Sequence, residues 1–146
     1  MKKYLSIIVA LILGLASAQA RDVISRNVAD LPASARTTLT KYFPKKSVNH
    51  IKIDKKLVGN TDYEVILSDG TEVDFDHNGN WKEIDMGSNA VPEALLPKAL
   101  VNYVRKNYKG TKIIGVDKKN NKYEIELSNG LDLEFDRAGN FLRIDR

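Results

Sequence analysis

Residues 63–85 read YEVILSDGTEVDFDHNGNWKEID, and residues 123–145 read YEIELSNGLDLEFDRAGNFLRID. Tyr63, Glu64, Leu67, Ser68, Gly70, Phe75, Asp76, Gly79, Asn80, Ile84 and Asp85 all recur sixty positions later. A repeat of this kind marks a duplicated supersecondary unit, so the chain is interpreted one unit at a time. In the first copy Tyr63, Val65 and Leu67 alternate with Glu64 and Ile66, the period-2 pattern of a strand with one buried face. Asp69-Gly70 supplies a hairpin turn of expected type I′. Val73 and Phe75 then face inward against Glu72, Asp74 and Asp76. His77-Asn78-Gly79 makes a second turn, and Asn80 to Asp85 forms a third strand. The second copy repeats the logic: Tyr123, Ile125, Leu127, Leu131, Leu133 and Phe135 face inward around an Asn129-Gly130 turn.

Upstream of each meander lies a helix signal opening on Leu-Pro. Leu31-Pro32 precedes Ala35, Leu39 and Phe43, and Leu96-Pro97 precedes Leu100, Val104 and Tyr108, each set at i, i+4, i+8. One further apolar segment, Val48 to Ile53 and Ile113 to Val116, adds a fourth strand to each unit. The expected fold is therefore α+β, with two tandem helix-plus-four-stranded antiparallel meander units and the helices packed on one face of the sheet. The units span 30–85 and 91–146, joined by a linker at 86–90. Residues 21–29 are expected to be irregular or loosely helical.

Lys2 and Lys3, the apolar run Leu5 to Ala16, and Ala18-Gln19-Ala20 have the layout of a signal peptide over residues 1–20. Export to the periplasm or beyond is expected. The chain has no cysteine, which excludes a cysteine-linked lipid anchor, disulfides and thiolate metal sites.

The order Leu-Pro helix, Tyr-Glu-Val/Ile, Ser-Asp/Asn-Gly, Phe-Asp-x-x-Gly-Asn-aromatic, Ile-Asp resembles the PepSY-like proteins over about residues 30–146. These are exported, typically from Bacteroidetes, and similar in fold to the beta-lactamase inhibitor protein. The resemblance implies a binding or inhibitory role towards extracytoplasmic proteins. The link between the related PepSY domain and peptidase propeptides points the same way, by analogy of fold alone.

Charge is unevenly placed. The two repeated segments hold 13 acidic residues against Lys82, Arg137 and Arg143, a net of −10, while the rest of the chain after residue 20 carries +12. The basic residues are scattered, and an exported protein rarely meets DNA, so nucleic acid is not an expected partner. The acidic residues Glu64, Glu72, Asp74, Asp76, Glu124, Glu126, Asp132, Glu134 and Asp136 are expected on the sheet face away from the helices. A one-sided antiparallel sheet needs such a polar face, and charges there discourage stacking. The same stripe could also meet a basic partner surface.

Strict alternation from Ile84 and Ile144 places Trp81 and Phe141 on this acidic face as partner anchors, whereas a bulge after Gly79 or Gly139 would turn them into the core. The expected partner-binding set is Trp81, Phe141, Glu72, Asp74, Asp132 and Glu134, serving an extracytoplasmic protein such as an inhibited hydrolase. A calcium site is the alternative. Asp74-Phe75-Asp76-His77-Asn78-Gly79 has the opening of a calcium loop, with Asp85 at its twelfth position. The second copy, Glu134-Phe135-Asp136-Arg137-Ala138-Gly139, loses one ligand and gains a cation. A small-ligand or cation site would use the loops around Asp76 and Asp136. His50 and His77 have no catalytic context, so no catalytic residues, enzyme activity or cofactor are expected.

Overall fold

The computed structural model describes residues 22–56 and 60–145. The proposed signal peptide and part of the Gly59-Asn60 connection lie outside the described residues. The strands are β1 (Asp22–Ser25), β2 (Val48–Asp54), β3 (Asp62–Leu67), β4 (Glu72–Phe75), β5 (Trp81–Asp85), β6 (Ile113–Lys119), β7 (Lys122–Leu127), β8 (Asp132–Asp136) and β9 (Phe141–Asp145). They form one antiparallel sheet in simple chain order. Two ten-residue helices, α1 (Ala33–Tyr42) and α2 (Lys98–Asn107), start directly after Pro32 and Pro97, where a missing N–H costs nothing.

This corrects the expected fold class. The protein is a mostly β, nine-stranded sheet with two short helices, not two tandem α+β units. β5 pairs with β6 across the presumed linker, Ile84 facing Val116, and both side chains are wholly buried. Left unpaired, those two strands would each expose an apolar edge. The linker itself is pinned: Met86 N donates to Ile114 O and Val91 N to Ile113 O. One hydrophobic cluster runs through the molecule, from Leu31, Ala35 and Phe43 to Leu100, Val104 and Phe135. The irregular segment expected at 21–29 instead contributes β1, paired with β2 from Asp22↔Asp54 to Ser25↔Ile51, and a 3-10 turn at Val28–Asp30.

The hairpin turns also differ in kind from type I′. Leu67 N donates to Thr71 O and Gly70 N to Leu67 O, closing a three-residue loop in which only Gly70 has positive φ. Leu127 and Gly130 repeat it. The pair with positive φ at both positions is Asn120-Asn121, between β6 and β7, which suits a two-residue mirror-image turn.

Candidate functional site

Alternation sends one side chain in two to the face opposite the helices, and the register aligns these outward residues across strands. Reading along successive pairs gives Lys52, Glu64, Asp74, Glu83, Asp117, Glu124, Glu134 and Arg143. Six carboxylates thus stand on six consecutive strands, bracketed by one cation at each end. Directly opposed residues have Cβ atoms about 5 Å apart, and like charges there repel. A neighbouring row adds Glu72 opposite Asp85.

The two halves of the row handle this repulsion differently. In the second, Glu134 is only 2% exposed yet fully paired. Arg143 Nε donates to its Oε2 at 2.6 Å, and the Lys122 ammonium meets its Oε1. The hydrogen bond from Lys122, with that from Arg143, holds the Glu134 carboxyl below the usual range despite its burial. In the first half the residue facing Asp74 is Glu83, where the second copy has Arg143. Lys82 is engaged with Asp62 at 3.2 Å. Burial, then the charges of Glu72, Glu64 and Glu83, push Asp74 up to about 7. Burial is also the first cause of the raised values of Glu72, Glu83 and Asp117.

Asp74 Oδ1 is buried and accepts no hydrogen bond from the described residues. Glu64, Glu72 and Asp74 each present a carboxylate oxygen within 4.8 Å of the others, a spacing that could hold a metal ion. The first half therefore gathers negative charge, whereas the second neutralises its buried carboxylate.

Of the expected partner residues, Glu72, Asp74, Asp132 and Glu134 do stand at outward positions of β4 and β8. Trp81 and Phe141 do not share that face. Lys82 and Leu142 are each an extra residue in a register shift, so Trp81 pairs with Phe75 and Phe141 with Phe135. Trp81 is 9% exposed. Phe141 stacks on Tyr103 at 4.6 Å between ring centroids. Bulging settled the open orientation in favour of the core.

The expected calcium ligands are not brought together as one loop. Asp76 Oδ1 accepts from Asn78 N and Asn80 N, and its Oδ2 from Asn80 Nδ2, within its own turn. Asp136 binds Asn140 in the same way. Asp85 Oδ1 accepts from Gly87 N. Only Asp74 of that set joins the cluster, with Glu64 and Glu72. Glu83 and Asp117 were absent from the expected stripe. Their parity beside Ile84 and Val116 was available in the sequence, but their adjacency depends on the β5–β6 pairing.

Residues 61–143 match the family described as "Putative beta-lactamase-inhibitor-like, PepSY-like". Among curated proteins, none matches the chain. A "putative periplasmic protein of unknown function" from Bacteroides vulgatus is 39% identical, with a TM-score of 0.82 over 86% of this chain and 100% of that one. A "putative calcium-regulated periplasmic protein" from Bacteroides thetaiotaomicron is 33% identical, with a TM-score of 0.79 over 86% and 97% of the two chains. A second Bacteroides vulgatus periplasmic protein is also 33% identical, at a TM-score of 0.78 and the same coverage. No helix among the described residues is long and apolar enough to cross a membrane. The family match over more than half of the chain, together with a 39% identical structure covered along its full length, means that this chain belongs to the PepSY-like family.

Proposed function

We propose that the chain is an exported, non-catalytic binding module whose outer sheet face takes a divalent cation, calcium foremost, at Glu64, Glu72 and Asp74. The convergence of these three carboxylates carries the reading, their oxygens lying within 4.8 Å of one another. Calcium–oxygen distances are about 2.3–2.6 Å, so ligands on opposite sides of an ion lie up to about 5 Å apart. The buried, hydrogen-bond-free Oδ1 of Asp74 is the kind of atom an ion would satisfy. The description of a 33% identical relative as calcium-regulated supports the same class of ligand. Strand-borne ligands replace the loop around Asp76, whose oxygens are occupied in their turn.

Calorimetric titration of residues 21–146 with calcium tests this. Saturable binding is expected, lost in Glu64→Gln/Asp74→Asn and kept in Glu134→Gln, whose carboxylate is already paired. Affinity should fall below pH 7 as Asp74 takes up a proton. Absence of saturable binding in the unaltered chain would overturn the proposal.

A second reading is favoured by the length of the carboxylate row. Six strands span roughly 24 Å at the usual inter-strand spacing, far more than one ion needs. A basic surface on an extracytoplasmic protein, including a hydrolase inhibited by this chain, would match such a row and be steered to it. Capture from envelope extracts should then weaken with salt and with Glu83→Lys. Salt-insensitive capture, or capture unaffected by that substitution, would exclude this face.

A further inference from the structure

The core side of the sheet carries a cluster of the opposite charge. β6 places Lys118 opposite Tyr123, and the matching pair in the first copy is Ile53 and Tyr63. Ile53 is a core residue, 8% exposed; Lys118 brings an ammonium into the corresponding place. Its Nζ lies 3.6 Å from the centroid of the Trp81 ring, a cation–π contact. Trp81 in turn packs near Tyr123, with ring centroids 6.5 Å apart. In the turn after β8, Arg137 stands where the first copy has His77. Both changes fall on one spot: Lys118 and Arg137 line a cavity of about 220 Å³ with Asn121, Lys122 and Tyr123.

Lys118, Arg137 and Lys122 bring three cations to the cavity wall, against the nearby carboxylates of Asp76 and Glu134. Burial lowers the Lys118 pKa; Asp76 opposes that effect and Arg137 adds to it. Asp76 also accepts from the turn amides of Asn78 and Asn80, which hold it in place and leave its charge facing Lys118. The Lys122 ammonium is tied to Glu134, so its stem contributes wall rather than free charge. Lys118 and Arg137 act against each other across the cavity, and a bound anion between them would relieve that repulsion.

We propose that this cavity is an oxyanion site, in which Lys118 and Arg137 hold the carboxylate or phosphate group of a small molecule beside Tyr123. Guanidinium and ammonium groups together supply charge-assisted donors suited to such a group. The site belongs to the second copy alone and does not depend on the cation reading of the outer face.

Trp81 is the single tryptophan of the chain, and its contact with Lys118 makes its fluorescence a reporter. The chain is titrated in calcium-free buffer with inorganic phosphate in one arm and acetate in another, against chloride at matched ionic strength. A saturable change with phosphate or with acetate is expected, and the more effective anion identifies the chemical source. Arg137→His, which restores the first copy's residue without touching Trp81, should weaken the response at least about tenfold, the worth of one charge-assisted hydrogen bond. Lys118→Gln alters the surroundings of Trp81, so it is followed instead by amide NMR shifts of Asn121 and Tyr123, which should no longer move with anion. A response shared by chloride, one unchanged in Arg137→His, or none at all would overturn the proposal.

Discussion

Arg143 donates to Glu134 at 2.6 Å, and the equivalent pair in the first copy is Glu83 facing Asp74. One change of sign at one cross-strand position separates an ion pair on a buried carboxylate from a pair of half-buried acids. The same backbone therefore carries a neutralised carboxylate in one half and a proton- or cation-seeking one in the other. Divergence between the copies at this position decides the chemistry of the face, because the register that opposes the two residues is common to both.

The raised value of Asp74 gives a stability profile of definite sign. Its ordinary value is 3.8 and its folded value is about 7, so between those limits the folded state binds more protons than the unfolded one. Stability should fall as pH rises from about 4 to 7 and then level off, with a contribution of up to about 4 kcal/mol at 1.36 kcal/mol per unit. Asp74→Asn should flatten this slope and unfold at higher urea than the unaltered chain at pH 8, in metal-free buffer. A slope unchanged by the substitution would remove Asp74 as its source.

Trp81→Ala should unfold the chain more readily rather than spare it. Trp81 is 9% exposed, and truncating a core tryptophan typically costs about 3–5 kcal/mol. Denaturation followed by far-ultraviolet circular dichroism measures this without needing the tryptophan signal. A loss below about 1 kcal/mol would contradict the core placement of Trp81.

Gly79 and Gly70 have positive φ, at 81° and 86°, but only one is crowded. A Cβ at Gly79 would stand 2.8 Å from Ala35 N and from Pro32 Cβ; at Gly70 it would meet nothing within 4 Å. Gly70→Ala should cost about 1–2 kcal/mol, the left-handed backbone penalty. Gly79→Ala should cost that plus a clash of about 1–3 kcal/mol, because the start of α1 rests on the turn. Comparing the two thermal melting temperatures isolates helix seating from turn strain.

Much of this architecture is legible along the chain, and the misreadings have identifiable causes. Alternation at Tyr63-Val65-Leu67 and Val73-Phe75 appears as β3 and β4, and the Leu-Pro signals appear immediately before α1 and α2. Each depends on interactions spanning a few residues. The inward position of Trp81 was undetermined because one bulged residue, Lys82, reverses the parity of everything before it. Ile84 and Ile144 illustrate a further limit. They hold equivalent positions in the two copies, yet Ile84 is fully buried and Ile144 is 39% exposed. β6 covers the first, whereas β9 is the last strand of the sheet.

The sequence by itself determined the repeated unit, its strands and turns, the acidic character of the alternating outward positions and the membership of the PepSY-like family. Those follow from short-range sterics, side-chain periodicity and matching residue patterns. Only the tertiary structure decided that the units merge into one nine-stranded sheet, that Glu83 meets Asp117 across their junction, and that Glu134 is paired with two cations while Asp74, among the described residues, faces Glu83 instead. Such neighbours are set by register between distant segments, and electrostatic energy depends on who stands opposite rather than on who is adjacent in the chain.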